Sequence, residues 1–285
     1  MGRKLDCPQC QGRNFYYTSD NDVGYCFNCG YTERGNTVNQ KERYTDIPAI
    51  RQLYTELTEY YHSCLERKHI DYLVARGITE QAIVKYKLGY CPNAHHILYN
   101  APESLSAGLY GQRVHLGSRI VFPYFLGQLV TDIRGRYFGN GSTQQKYLSP
   151  FNSSFYRGAD YAYNHNVLHN PSVVITEGEM KAIASTEAGI ACLALPGMRS
   201  FRPGIKQYDD QTTIICFDTQ IAHYYDVRRA IIDLAKRFHN PKVATLPATK
   251  GKQDIDSYIL EYGKERYAKV IQRALPFDIW KGLSR

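Results

Sequence analysis

Four cysteines near the N-terminus have the spacing of a metal site. They form two Cys-x-x-Cys pairs, Cys7 with Cys10 and Cys26 with Cys29, which are separated by fifteen residues. Two such pairs can place four thiolates tetrahedrally around one Zn²⁺. Because four protein ligands leave the metal no open position, this spacing predicts a structural zinc ribbon without zinc chemistry of its own.

The function of such a ribbon would come from its surface. Its segment is rich in cations and aromatic rings, which suit the binding of single-stranded DNA. Contacts to the phosphates supply binding affinity, and contacts to the bases supply sequence preference. Tyr16 and Tyr25 are our candidates for these nucleic-acid contacts. The alternative is a ribbon that only stabilises this end of the chain. The cations and rings are Arg3, Lys4, Arg13, Phe15, Tyr16, Tyr17, Tyr25, Tyr31 and Arg34.

Carboxylates recur after predicted strands in the second half of the chain, directly in two cases and after a short segment in the third. These residues are Glu177, Asp218, Asp254 and Asp256. Carboxylates at one edge of a sheet can hold Mg²⁺ while the phosphates of a substrate complete its coordination shell. Gly178 lets the chain turn sharply beside a ligand. The alternative is that these acids only favour helix N-termini through the helix dipole.

The elements that position these carboxylates alternate between apolar strands and helices. Such alternation predicts a parallel sheet covered on both faces, with reactive residues just past the carboxyl ends of its strands. The predicted strands are 172–176, 191–195, 212–217 and 242–246, and the predicted helices are 179–188, 222–238, 255–262 and 264–273.

The region before this alternation begins with helices. Apolar residues at three- and four-residue spacing predict helices over 48–66, 70–76 and 79–87, and Thr79 is the predicted N-cap of the third. Residues 35–47 are polar with little periodicity, which predicts a flexible linker.

Residues 110–150 favour strands instead. The runs 119–125 and 129–138 predict two strands joined by a turn at Leu126-Gly127-Gln128.

Composition places the chain among globular proteins. Its 285 residues suggest about two domains, and 43% of them are hydrophobic. No apolar run approaches the roughly 18 residues that span a bilayer, and no signal peptide is evident, so we expect no membrane partner and a cytoplasmic location. The net charge of +8 and the 25 tyrosines fit a polyanionic partner without requiring one. The other four cysteines are scattered, which is typical of buried thiols in a reducing compartment.

Three segments resemble motifs of the TOPRIM domain, which DNA primases share with topoisomerases and some nucleases. Val174-Ile-Thr-Glu177-Gly-Glu resembles the glutamate motif of that domain. Phe217-Asp218 resembles the start of its Asp-x-Asp motif, and Lys252 to Asp256 resembles the following Lys-Asp-Pro-Asp segment.

Upstream segments resemble more specifically the bacterial and phage-type, DnaG-like DNA primases. The resemblance covers roughly residues 5–265 and includes the cysteine spacing of the ribbon. The matching segments are Tyr72 to Ile78 (Tyr-Leu-x-x-Arg-Gly in the family), Leu88-Gly-Tyr90 (Leu-Gly-Tyr), Arg119-Ile-Val-Phe-Pro123 (Arg-Val-Met-Phe-Pro), Arg134-Gly-Arg136 (Gly-Gly-Arg) and Lys146 to Pro150 (Lys-Tyr-Leu-Asn-Ser-Pro).

The resemblance implies an α/β fold, α+β as a whole, in four parts. A small β-rich zinc ribbon for template recognition spans 1–34, and a linker spans 35–47. A mixed α/β basic N-terminal subdomain of an RNA polymerase domain spans 48–168. A TOPRIM catalytic subdomain with a Rossmann-like parallel sheet spans 169–285.

The resemblance also implies a reaction, the synthesis of short RNA primers on single-stranded DNA from ribonucleoside triphosphates. The ribbon, with structural Zn²⁺, would read the template. Catalytic Mg²⁺ or Mn²⁺ would be held by Glu177, Asp218, Asp254 and Asp256, and Lys146 would join the first three of these acids as a catalytic residue. Arg119, Arg134, Arg136 and Lys146 would line a groove for template and nucleotide phosphates. A replicative helicase in a bacterial cell or phage-infected host is the expected partner.

Two positions depart from the family pattern. The second aspartate of the Asp-x-Asp motif is Gln220 here, and the aspartate usually found four residues after the motif glutamate is Lys181. These changes favour an alternative function, a non-catalytic zinc-ribbon and TOPRIM adaptor that binds DNA, whereas the intact upstream basic motifs favour the primase. A TOPRIM nuclease or topoisomerase-like enzyme is the third alternative.

Overall fold

The chain divides into two compact units, Met1–Ile47 and Pro48–Arg285. In the computed structural model, the described residues are 3–6, 15–18, 23–26, 32–34, 47–92, 116–139, 146–149, 162–197, 212–219, 224–247 and 253–283. The predicted further division after residue 168 stays a prediction.

The first unit contains a four-stranded antiparallel sheet in the order β1-β2-β3-β4. Tyr16 pairs with Lys4 on one side and with Tyr25 on the other, so the two predicted base-contacting tyrosines are direct cross-strand neighbours. The strands are β1 Arg3–Leu5, β2 Phe15–Thr18, β3 Val23–Cys26 and β4 Thr32–Arg34.

The second unit begins with the three predicted helices. They are α1 Ile47–Ser63, α2 Arg67–Ala75 and α3 Glu80–Lys85. The predicted cap is confirmed, because the Thr79 side chain accepts a hydrogen bond from the backbone N–H of Ala82 over 3.1 Å. The predicted linker lies outside the described residues up to Ile47, where α1 begins.

The predicted strand pair is confirmed as the centre of an antiparallel sheet in the order β5-β6-β7-β8. Gly127 adopts φ +62° in the predicted turn between β6 and β7. The outer strands β5 and β8 were not predicted, because segments of two or three residues are too short to show an alternating pattern. The strands are β5 Gly89–Cys91, β6 Arg119–Leu126, β7 Leu129–Tyr137 and β8 Tyr147–Leu148.

The second half of this unit forms the predicted parallel sheet, in the order β10-β9-β11-β12-β13. The parallel strands are β9 Ser172–Glu177, β10 Cys192–Leu195, β11 Thr212–Ile215 and β12 Lys242–Val243. The edge strand β13, Leu275–Pro276, runs antiparallel to β12 and was not predicted.

Helices connect and cover these strands. A 3₁₀ helix, His165–His169, precedes β9. The α-helices are α4 Glu179–Glu187, α5 Tyr224–Ala235, α6 Ile255–Tyr262, α7 Lys264–Gln272 and α8 Phe277–Leu283. No helix in the described part of the chain is both long and apolar enough to cross a bilayer.

Both faces of the parallel sheet are buried. Val173 and Ile175 pack into one apolar cluster with α5, whereas Val174 packs into another with α4. The second cluster continues into Phe122 of the antiparallel sheet, so one core joins the two sheets and fixes the distance between their side chains. The cysteines outside the ribbon are free thiols, as predicted, with Cys91, Cys192 and Cys216 buried and Cys64 half-buried.

Candidate active-site cavity

A cavity of about 220 Å³ lies at the carboxyl ends of β9 and β11. Glu177 is the last residue of β9, and Asp218 lies just beyond the end of β11. Because these strands are parallel neighbours, their carboxyl ends meet at one edge of the sheet. Five cations line the cavity, Arg76, Arg134, Arg136, Lys146 and Lys181, together with three carboxylates, Glu177, Asp218 and Asp254.

A tight turn links β9 to the helix that carries Lys181. Gly178 forms this turn with φ +89°, in the left-handed region that favours glycine. The sharp turn predicted at this glycine is therefore present, and α4 starts at the next residue. As a result, Lys181 lies on the first turn of α4, facing the two acids at the strand ends.

The ammonium of Lys181 lies between two of the predicted metal ligands. Its Nζ is 2.5 Å from Asp218 Oδ1 and 3.8 Å from Glu177 Oε1. Burial lowers the pKa of Lys181, but attraction to Asp218 and Glu177 outweighs burial, so the pKa is raised above its ordinary value. The cluster therefore holds a protein cation at the Glu177–Asp218 pair.

The two remaining predicted acids have different environments. Asp254 lines the cavity and is the N-cap of α6, because its Oδ1 accepts hydrogen bonds from the backbone N–H and the hydroxyl of Ser257. Asp256 is buried and pairs with Arg76, whose Nη2 is 2.5 Å from its Oδ2. Burial and neighbouring Asp254 raise the pKa of Asp256, against the opposing pull of Arg76. Asp256 is therefore not brought to the cavity with the other three acids.

One wall of the cavity is a buried ion pair. Glu179 is fully buried, and its Oε1 accepts hydrogen bonds from Arg134 Nη1 over 2.8 Å and from the Tyr124 hydroxyl over 2.6 Å. The Arg134 guanidinium also lies 4.4 Å from the ring centroid of Tyr147. Burial lowers the pKa of Arg134, but Glu179, Tyr124 and Tyr147 together more than offset this effect, so the pKa is raised. The charge of Arg134 is thus largely neutralised within the protein.

Arg136 is held differently from Arg134. Its Nε donates to the Tyr72 hydroxyl and its Nη1 to the Tyr147 hydroxyl, each over 2.8 Å. Among the residues that the structure describes, no carboxylate pairs with Arg136. Two neutral hydroxyls fix the orientation of its guanidinium, and the positive charge remains for the cavity.

The other two predicted basic residues, Lys146 and Arg119, lie in different places. Lys146 lines the cavity, with its Nζ 5.9 Å from the Tyr147 ring centroid. Arg119 does not line it: the side chain is buried, and its Nη1 donates to the carbonyls of Leu116 and Gly117, each over 2.8 Å. These bonds hold the backbone before β6, and the predicted phosphate contact of Arg119 stays a prediction.

The described residues do not present a ready metal site. No group of three or more histidine, cysteine or acidic side chains within them is arranged to hold a metal ion. At the Glu177–Asp218 pair, the Lys181 ammonium lies against both carboxylates. Three of the predicted zinc ligands, Cys7, Cys10 and Cys29, lie outside the described residues, and the fourth, Cys26, is the last residue of β3. Gln220 also lies outside the described residues.

Comparison with known proteins identifies relatives of the chain. Residues 163–266 match a family described as a domain of unknown function (DUF3854). The chain is 26% identical over 263 residues to the DNA primase of Legionella pneumophila, a match that covers 82% of this chain and 45% of that protein. The structure of the zinc-binding and RNA polymerase domains of the Aquifex aeolicus primase covers 97% of this chain and 79% of its own, with a TM-score of 0.68 and 16% identity. The chain is similar to bacterial DNA primases in sequence and to a primase structure in fold.

A second DnaG structure extends the likeness in fold. The DnaG primase catalytic domain bound to single-stranded DNA matches with a TM-score of 0.62 and 20% identity, and the match covers 84% of each chain. The chain thus has the fold of a DnaG catalytic core, and it spans less than half the length of the Legionella relative.

The segments that resemble DnaG motifs in sequence meet at the cavity. Arg136, Lys146 and Glu177 come from three separate segments, and Arg76 comes from a fourth. Sequence reasoning did not assign Arg76 or Tyr147 to the site, although each lies within a quoted motif. The motifs contain these residues, but the contacts that the residues make depend on how the two sheets pack together.

Proposed function

We propose that the chain is a primase-type nucleotidyltransferase that makes short RNA primers on single-stranded DNA during replication. The observation that carries this proposal is the convergence of segments with DnaG-like motifs, distant in sequence, on one cavity of mixed charge. Relatedness to a bacterial DNA primase supports the reaction class. The DnaG catalytic domain bound to single-stranded DNA supports single-stranded DNA as the template.

The cavity residues divide into two proposed roles. Arg136 and Lys146 bind the phosphates of an incoming ribonucleoside triphosphate and of the template. Their positive charge stabilises the phosphoryl oxygens as the 3′-hydroxyl attacks the α-phosphate, loses its proton to the solvent and displaces pyrophosphate, so that a phosphodiester bond replaces the α–β phosphoanhydride bond. Glu177, Asp218 and Asp254 form the acidic side of the cavity, where the attacking hydroxyl would be oriented. Arg134 positions this wall through Glu179 instead of binding phosphate.

The Mg²⁺ or Mn²⁺ implied by the resemblance does not fit the Glu177–Asp218 pair as the structure presents it. Lys181 already supplies a cation there. We therefore assign no step of the reaction to a metal at this pair.

The N-terminal unit is proposed to select the template. A ribbon stabilised by Zn²⁺ on Cys7, Cys10, Cys26 and Cys29 would present its tyrosines to unpaired bases, where stacking is worth roughly 1–3 kcal/mol per base. The zinc-binding domain of the Aquifex aeolicus primase supports this assignment. A helicase partner and a cytoplasmic location stay predictions.

A DNA-binding adaptor without catalysis is the second candidate function. The observation that favours it is the internal neutralisation of Asp218 by Lys181, which removes negative charge from the site. One assay separates the candidates, with single-stranded DNA of varied sequence, Mg²⁺ or Mn²⁺, and labelled ribonucleotides. Short labelled RNA supports the primase. DNA binding without synthesis under either metal supports the adaptor, and cutting of the template supports a nuclease.

A further inference from the structure

The carboxylates of Glu177 and Asp218 already share a cation that belongs to the protein. Lys181 Nζ contacts Asp218 Oδ1 at 2.5 Å and lies 3.8 Å from Glu177 Oε1. The Lys181 side chain is only 12% exposed, and that of Asp218 is 1% exposed. An ion pair this sheltered is screened little by water or salt.

The fold holds the lysine in this position. Gly178 fixes the turn from β9 into α4, and Met180 and Ile183 anchor α4 in the apolar core on either side of Lys181. If the ammonium moved away, the buried Asp218 carboxylate would lose its 2.5 Å partner, which is costly for a charge held away from water. The lysine is therefore a built-in occupant and not a loose surface side chain.

We infer that the Lys181 ammonium takes the place of a divalent cation between Glu177 and Asp218, so that this pair binds Mg²⁺ or Mn²⁺ strongly only when the lysine is removed. Like charges a few ångströms apart in a sheltered site repel strongly, so the ammonium and a divalent ion exclude each other. The inference deepens the proposed function and rests on it for its catalytic meaning. A divalent ion needed for synthesis would then arrive on the triphosphate, since substrate phosphates supply part of the coordination shell of Mg²⁺ in such sites.

The test is a titration of the full chain with Mn²⁺, without nucleotide or DNA. The paramagnetic resonance signal of free Mn²⁺ measures how much of the ion is bound. Lys181→Met removes the charge and keeps the chain length, and Lys181→Asp adds a third carboxylate to the pair. Lys85→Met is the matched control, because Lys85 pairs with Glu187 over 2.8 Å outside the cavity. We expect both Lys181 variants to bind Mn²⁺ at least about tenfold more tightly than the wild type and the control.

When Glu177→Gln is combined with Lys181→Asp in one chain, the gain in Mn²⁺ affinity should disappear. If a Lys181 variant folds poorly, its melting temperature should rise with Mn²⁺ while that of the wild type does not. Equal Mn²⁺ affinity in the wild type and both variants, or no response of either variant in binding or melting, would overturn the inference. Because the readout contains no synthesis, a chain that makes no primers leaves this result intact, and a primase that binds Mn²⁺ tightly with Lys181 present refutes only the inference.

Discussion

Arg134 donates a 2.8 Å hydrogen bond to Glu179, a carboxylate that is fully excluded from solvent. The bond joins β7 of the antiparallel sheet to the first turn of α4, the helix that also carries Lys181. Two arginines of one strand, Arg134 and Arg136, consequently have different roles. The first is part of the scaffold of the cavity, and the second supplies charge to its interior.

Loss of Arg134 should therefore destabilise the fold. Arg134→Met leaves Glu179 buried without its cation, and breaking one side of a buried ion pair costs about 3–5 kcal/mol. Urea denaturation measures this change in the free energy of unfolding. Arg67→Met, which removes an exposed arginine from its pairs with Asp71 and Glu80, should leave that free energy unchanged within error. Equal effects of the two substitutions would refute the structural role of Arg134.

Loss of Arg136 should instead weaken the binding of single-stranded DNA. Arg136→Gln removes a cation whose partners in the described part of the chain are two hydroxyls, so the fold should persist while affinity falls. One lost phosphate contact reduces the slope of log affinity against log salt by roughly 0.7 for single strands. Fluorescence anisotropy over a salt series measures that slope. Arg266→Gln, which removes an arginine that lies near Tyr262 outside the cavity, should leave it unchanged. If the salt slope of Arg136→Gln equals that of the wild type, Arg136 does not contact a phosphate of the DNA.

Acid should destabilise the chain through His69. Its ring is buried and stacked on Tyr90 at 3.7 Å, and its Nδ1 accepts a hydrogen bond from the backbone N–H of Glu66 over 3.0 Å. Burial lowers the pKa of His69, so the folded state binds fewer protons than the unfolded state as the pH falls below the unfolded value of about 6.5. The stability contributed by the neutral ring is complete above that value and is lost towards the lower folded pKa.

Denaturation at a series of pH values between about 7.5 and 5.5 tests this expectation. His69→Gln should lose less stability on acidification than the wild type, whatever its stability at neutral pH. Thr79→Ala is the control, because it removes a helix cap worth about 1 kcal/mol without a titrating group, and its profile should run parallel to that of the wild type. A profile of His69→Gln as steep as that of the wild type would contradict the assignment.

Much of the fold could be read from the sequence because long apolar patterns determine which face is buried. The helices α1 and α6 and the strand β9 follow such patterns and begin close to their predicted positions. The strands β8 and β13 have two residues each, and their pairing depends on neighbours distant in the chain.

The candidate site was predictable to a similar degree. Acids at the ends of parallel strands were expected to meet, and Glu177, Asp218 and Asp254 line one cavity. The burial of Arg119 and the contact between Lys181 and Asp218 were not readable, because each depends on side-chain packing between segments whose register only the folded chain defines.

The proposed function places RNA synthesis in this cavity. The most direct measurement is the yield of labelled RNA on single-stranded DNA by the wild type, by Glu177→Gln and by Asp233→Asn. Asp233 is a matched acid on α5 that pairs with Lys236 outside the cavity. We predict primers from the wild type and Asp233→Asn, and a loss of at least about a hundredfold in Glu177→Gln, the size typical of removing one group that acts in the transition state. Equal yields from all three proteins, or no RNA from any of them, would contradict the claim.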